Sequence, residues 1–232
     1  MKMRVSLLRL SLIALSALPA AAFADGKLVA STGAVVLEHQ GKESPAPEGT
    51  NVQSGDTLLV PKGANAQLRF DDDSIFAIPG KSSFTVDTYA QATPAAPGKA
   101  LYTLHEGGVR TITGKISKGN KDEYALHTEE ANITVMGSAY SALRCTNQCG
   151  QHKPGLYVRN EKGVIIVTNS AGQIRIKVGQ VVYVAAATTA PTIVKISPFS
   201  DPKIAASFGM LGVEGQVNFP PRIEHEPPAS PS

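Results

Sequence analysis

Between Gly155 and Val184 four short apolar runs follow one another with little but turns between them: Gly155 to Asn160, Gly163 to Asn169, Gln173 to Val178 and Gln180 to Val184. Each is rich in Val, Ile and Tyr, each is bounded by Gly, Asn or a Ser-Ala-Gly turn, and each is too short for a helix. A chain with this rhythm buries a core by packing strands against strands. It predicts an all-β fold, either an irregular β-solenoid-like coil or a twisted β-sandwich of many short strands. A solenoid of fixed coil length shows a strict internal repeat, and none is visible, so any coiling is irregular.

The stretch from Leu104 to Tyr140 carries the same signal. Gly108 to Ile116 and Ala131 to Tyr140 read as strands separated by a turn rich in Gly, Asn and Asp. Alternation places Ala131, Ile133 and Val135 on one face and Asn132, Thr134 and Met136 on the other. Earlier in the chain, Lys27 to Glu38 reads as one or two strands around Gly33, Gln40 to Thr50 as a loop, and Val52 to Val60 as a turn opening onto a strand. Ala66, Leu68 and Phe70 form the inner face of a hairpin that turns at Asp71-Asp72-Asp73-Ser74 and returns through Ile75 to Ile78. Ser83 to Asp87 adds a strand before the Ala/Pro-rich loop from Ala90 to Lys99. The three aspartates lack the spaced oxygens, glycine and distal glutamate of a calcium loop, and Asp is a normal turn residue.

The N-terminus predicts export. A basic start is followed by the apolar run Leu10 to Leu18, a break at Pro19, and Ala22-Phe23-Ala24 before Asp25, which fits a secretory signal peptide over residues 1–24. An uncleaved anchor is the alternative, but the apolar core is shorter than the roughly 20 residues a spanning helix needs. The formal charge of +3, from 22 basic and 19 acidic residues, owes its excess to Lys2, Arg4 and Arg9 in this leader. The mature chain is neutral and offers no electrostatic argument for nucleic acid or an anionic membrane. Export to the periplasm or beyond favours a disulfide between Cys145 and Cys149, pinning a short turn. A metal site with His152 as third ligand is the alternative, without a visible fourth ligand.

Toward the C-terminus, Ala185 to Pro198 reads as a linker. A short helix follows, capped by Asp201 with Pro202 at its first position, and Ile204, Phe208 and Leu211 form one face that packs as a lid on the β core. Pro220 to Ser232 reads as a disordered Pro-rich tail. No nucleophile elbow, HExxH helix, phosphate loop or dinucleotide fingerprint is present. His105 and His127 near strand ends would need a Ser or carboxylate in a shared pocket to act in catalysis. Glu129 and Glu130 are adjacent, so on a strand they face opposite ways and form no acid/base pair. The expectation is a non-enzymatic protein without metal or cofactor.

Taken together, Gly55-Asp56-Thr57-Leu58, Ala66 to Phe70, Asp73-Ser74 and Ile78 match one family's pattern of turns and strands. Leu104 with Glu106 to Arg110 continues it, then Thr128, Ala131, Ile133, Val135, Gly137 and Tyr140, then Gly163-Val164, Val167, Ala171-Gly172 and Gly179-Gln180. In order and spacing this resembles the FecR-domain family across about Gly33 to Val184. The resemblance implies an all-β periplasmic module over residues 25–187, with residues 188–232 as linker, helix and tail. In the family's best-known members this module follows a cytoplasmic anti-sigma region and a membrane helix and relays an iron-uptake signal from an outer-membrane receptor. The family's usual TPxAxIGIRGT segment corresponds here to Thr128 through Ser138, with its Pro, Arg and Thr replaced.

The resulting expectation is an exported binding or scaffold module that contacts another envelope protein by strand addition or loop recognition. Arg110, Glu129, Glu130, Met136 and Ser138 are the candidate partner contacts. The alternatives are an accessory of iron-uptake signalling and a carbohydrate or cell-wall binder. With no Trp, the glycan reading rests on Tyr89, Tyr102 and Tyr157 as stacking platforms.

Overall fold

The structure, a computed structural model, describes residues 26–119, 123–147 and 150–208. The leader, Cys149, Leu211 and the Pro-rich tail lie outside the described residues. Fifteen strands form one hydrogen-bonded network: β1 Gly26–Thr32, β2 Val36–His39, β3 Lys42–Pro45, β4 Asn51–Val52, β5 Thr57–Val60, β6 Asn65–Phe70, β7 Ile75–Pro79, β8 Ser82–Ala90, β9 Lys99–Ile112, β10 Tyr124–His127, β11 Asn132–Cys145, β12 Gly155–Asn169, β13 Gly172–Ile176, β14 Val181–Val184 and β15 Thr192–Val194. The architecture is all-β, as the strand-turn rhythm predicts.

Three long strands fold this network into two facing layers. The first half of β9 pairs with β8 and β10, whereas its second half, from Gly107, pairs with β11 and β7. β11 changes neighbours after Met136, and β12 after Lys162. The changes fall at Gly107, Gly137 and Gly163, all at positive φ, where a side chain would be strained. One layer therefore runs β3-β2-β5-β8-β9-β10-β11-β12-β13 and the other β4-β1-β6-β7-β9-β11-β12-β14-β15. We call them layer A and layer B.

The layers meet through rings. Phe76 of layer B lies 5.3 Å from Phe84 and 4.6 Å from Tyr102 of layer A, centroid to centroid, and Phe70 lies 4.9 Å from Tyr89. Leu28, Leu68, Leu126, Ile133, Val158 and Val182 extend the same core, all fully buried. Burial pushes the phenols of Tyr102, Tyr124 and Tyr140 well above the ordinary tyrosine value, so they remain neutral.

Local predictions hold in detail and fail where context decides. Ala131, Ile133 and Val135 are buried, and Asn132 and Met136 exposed. Ala66, Leu68 and Phe70 face the core of the β6–β7 hairpin. Residues 116–119 leave the sheet as a helical turn, α1, Ile116–Gly119, instead of ending a strand. The two runs from Gly155 to Asn169 are one bent strand, because Gly163 kinks the chain without reversing it. The expected loop Gln40 to Thr50 contains β3, and the expected linker contains β15, both edge strands held by main-chain pairing rather than by buried side chains.

Candidate binding groove

The outer face of layer B carries a broad groove. Residues paired across neighbouring strands project to the same side, and the register Ala77–Arg110–Ser141–Arg159–Val181–Val194 lays a row across six strands. Part of this face is covered by the C-terminal segment, a 3-10 turn at Pro198–Ser200 followed by α2, Pro202–Ser207. Phe199 and Phe208 stack edge to face 5.6 Å apart and pack with Cys145, Tyr157 and Val181 into a second, smaller cluster. The predicted lid is present, and Pro202 opens its helix.

Beside this cover runs a groove of about 700 Å³ lined by Arg110, Ile112, Ser141, Arg159, Lys162, Val178 and Phe208 among others. A second hollow of about 460 Å³ shares Arg159, Gly179 and Phe199 with it and continues to Ile193 and Lys195 on β15. The two hollows lie side by side on this face and are together called the trough.

Glu161 organises the floor. Arg110 donates from Nε to both carboxylate oxygens at 3.2 and 2.9 Å and from Nη2 at 2.8 Å, and Ser141 donates from Oγ at 2.7 Å. Burial raises the Glu161 carboxyl, but the hydrogen bonds from Arg110 and Ser141 and the charges of Arg110 and Arg159 outweigh it and hold the group below its ordinary value. Its charge is thus matched within the fold. Arg159, Lys162 and Lys195 add positive charge to the lining, and Arg159 acts on Glu161 through its charge.

The five expected contacts are not brought together. Arg110 lies in the groove. Met136 is 51% exposed but sits on the outer face of layer A. Ser138 is buried; its N–H donates to Thr113 Oγ1 at 2.9 Å and its Oγ donates to the Val164 carbonyl at 2.9 Å, so it supports the kink of β11 rather than meeting a partner. Glu129 and Glu130 sit in the turn before β11 rather than on a strand, and Arg144 donates to both and to the His105 carbonyl. Glu130 is consequently buried, and only Glu129 reaches solvent.

Other candidates disperse too. Tyr89, Tyr102 and Tyr157 are all buried, with hydroxyls or rings committed to the interior, so none is a platform for a sugar. His105 Nε2 bonds Thr85 Oγ1 at 2.8 Å and His127 Nδ1 bonds Asn132 Oδ1 at 2.7 Å; neither lines the trough. The three turn aspartates diverge: Asp71 accepts from Gln91, Asp72 is buried in backbone bonds, and Asp73 pairs with Arg69 and Lys115. Among the described residues no group of three or more His, Cys, Asp or Glu could hold a metal ion. No helix among them is long and apolar enough to cross a membrane. Cys145 is buried in the smaller cluster.

The groove was not legible in the sequence. Arg110 and Glu161 stand 51 residues apart, and only the register of β9, β11 and β12 brings Arg110, Ser141 and Arg159 into line.

No family model matches this sequence, and no curated protein matches it. Among solved structures, two crystal structures of a "putative anti-sigma factor" from Parabacteroides distasonis ATCC 8503, at 1.65 and 2.50 Å resolution, are similar to this chain. The TM-scores are 0.45 and 0.46 at 14% and 12% identity, with 62% of this chain and 61% of each of those chains covered. At that distance the likeness carries no argument about function, and the groove is interpreted from its own chemistry.

Proposed function

We propose that the chain is an exported, non-enzymatic binding module of FecR-like type that contacts another protein of the cell envelope through the outer face of layer B. The observation that carries this reading is the trough itself: basic Arg159, Lys162 and Lys195 stand beside exposed Val178 and Ile193, over a floor made rigid by Arg110 and Glu161. Recognition surfaces combine apolar anchors with oriented charge in this way. The signal-peptide pattern of residues 1–24 and the family resemblance of the strand pattern support the address and the class.

The test is site-specific photo-crosslinking of the full chain in its own envelope. A crosslinker at Val178 is expected to capture one partner protein reproducibly, and a crosslinker at Arg175 on β13, in layer A, is expected not to. Equal capture at both positions, or none at Val178, would remove the proposal.

A further inference from the structure

We infer that β13 is a docking edge for a second copy of this chain, the two strands pairing antiparallel about a two-fold axis at Ile174. The inference stands apart from the groove. Each layer ends in two edge strands, and three of the four are guarded or too short to take a partner. β3 carries Lys42 and Glu43 and ends on Pro45, which has no N–H to give; β4 has two residues and β15 three. β13, by contrast, is five residues long, holds no proline, carries one charge, and pairs with β12 alone among the described residues. An open edge of that kind takes up an added strand.

Backbone alternation decides which groups the edge offers. Ser170 and Ala171 form the two-residue turn of the β12–β13 hairpin, so Asn169 and Gly172 are a hydrogen-bonded pair, and Ile174 and Ile176 follow in turning their backbone groups to β12. The N–H and C=O of Gln173 and Arg175 therefore point to the open side. The N–H groups beyond them are committed: Lys177 N–H donates to Gln180 Oε1 at 2.9 Å and Ala171 N–H to Asn169 Oδ1 at 3.0 Å.

These groups fix the register. In an isologous pair the same strand supplies both sides, so only the centre of symmetry is free to vary. Centring on Arg175 sets two guanidinium groups directly opposite each other, and centring on Gln173 opposes Arg175 to the committed Ala171. Centred on Ile174, Gln173 of each copy lies opposite Arg175 of the other, both pairs exchange N–H···O bonds, and no like charges meet. Side chains agree with this choice. Ile174 packs against the core but is only half-buried, whereas Ile176 beside it is buried. On the two-fold each Ile174 covers its counterpart, and Gln173 and Arg175 remain on the outer face. Two copies joined in this way carry two grooves, so a partner with two matching sites gains from effective concentration.

The experiment uses the full chain. Sedimentation velocity from about 1 to 300 μM is expected to show a reversible dimer, weak because the edge is short. Ile174→Cys is expected to form a disulfide-linked dimer under mild oxidation, since a non-hydrogen-bonded antiparallel pair holds its Cα atoms about 4.5 Å apart, within disulfide reach. Met136→Cys, exposed on the outer face of the same layer, is expected to stay monomeric. The cross-strand pair tests the register without touching the backbone. Gln173→Glu, which sets a carboxylate opposite each Arg175, is expected to tighten the dimer about fivefold and Gln173→Lys to weaken it about fivefold, both variants melting with the parent. A monomer at every concentration, equal oxidation of the two cysteine variants, or Glu and Lys variants that fail to move the dimer in opposite directions overturns the inference. A photo-crosslinker at Arg175 is expected to join two copies of this chain and no other protein, so it remains the control for Val178. Capture of a different protein at Val178 by a chain that stays monomeric leaves the binding module standing without the dimer, and a dimer with no capture at Val178 does the reverse.

Discussion

Asp72 fills the space in front of Gly114. A Cβ on Gly114 would collide with the Asp72 carbonyl oxygen and lie 2.5 Å from its carboxylate Oδ2. The contact is close because Asp72 serves as a local hub. Its Oδ1 accepts from Ser74 N at 3.0 Å and Ser74 Oγ at 2.6 Å, and its Oδ2 accepts from Ile116 N at 3.2 Å. Its carbonyl accepts from Lys115 N, and its own N–H donates to the Tyr89 hydroxyl. One turn aspartate thus ties the β6–β7 hairpin to α1 and β8. Asp72→Ala is expected to cost about 2–4 kcal/mol, because buried backbone and hydroxyl donors lose their acceptor. Gly114→Ala is expected to destabilise comparably by overpacking. Urea unfolding of both variants measures this; a loss within about 0.5 kcal/mol of zero would contradict the hub role.

Glu161 makes stability depend on acid. Its folded carboxyl titrates below the ordinary value, since the bonds from Arg110 and Ser141 outweigh burial. A depressed carboxyl contributes fully above its unfolded value, about 4.3, and the contribution is lost as pH falls through the lower folded value. Glu161→Gln is expected to cost about 1–2 kcal/mol at neutral pH and to flatten the acid limb of the stability curve. Thermal melts from pH 7 down to pH 3 of the parent and the variant would show parallel acid limbs if the account is wrong.

The bend of β12 depends on Gly163. Its φ is +82°, and a Cβ there would sit 2.5 Å from the Gly137 carbonyl and 2.7 Å from Ser138 Oγ. Gly163→Ala is expected to destabilise by about 2–4 kcal/mol, combining backbone strain with that collision. Gly172→Ala is the informative comparison, because position 172 also has positive φ but has nothing near it. Its loss should be smaller, and equal losses at the two sites would assign the effect to backbone strain alone.

Two neighbours at the bend of β11 should behave oppositely. Met136 is exposed, so Met136→Arg is expected to change stability by less than about 0.5 kcal/mol. Ser138 is buried against Val164 and Gly163, so the extra methyl of Ser138→Thr is expected to cost about 1–2 kcal/mol. Differential scanning calorimetry separates the two, and an equal effect would show that burial does not govern this segment.

For the cysteine pair, the proposed export leads us to expect a Cys145–Cys149 disulfide. Mass spectrometry without reduction should recover peptides joined through both residues, and a chain carrying free thiols that takes up stoichiometric zinc would favour the metal alternative. The loop enclosed is short, so replacing Cys149 by Ser should cost no more than about 3 kcal/mol.

What the sequence could disclose was local. Alternation at Ala131, Ile133 and Val135 is decided within one strand, and the β6–β7 hairpin within a dozen residues, so both were predicted correctly. The layering was hidden, because a glycine inside an apolar run reads equally as a reversal or a kink, and Gly163 proves to be a kink. Glu130 shows the matching limit for charge: the sequence marks it as a candidate partner contact, whereas Arg144, 14 residues later, returns on β11 and draws it into the fold.

The strands that bend at Gly107, Gly137 and Gly163 have a mechanical consequence. Ordinary sandwiches are two sheets stacked on a greasy interface, and one sheet can in principle peel or slide. Here β9, β11 and β12 are threaded through both, like stitches through two pieces of cloth. Neither layer can part from the other without tearing its own middle strands, so fraying belongs to the hems at β3, β4, β13 and β15, and a pull applied at the β15 edge is carried directly into the opposite face.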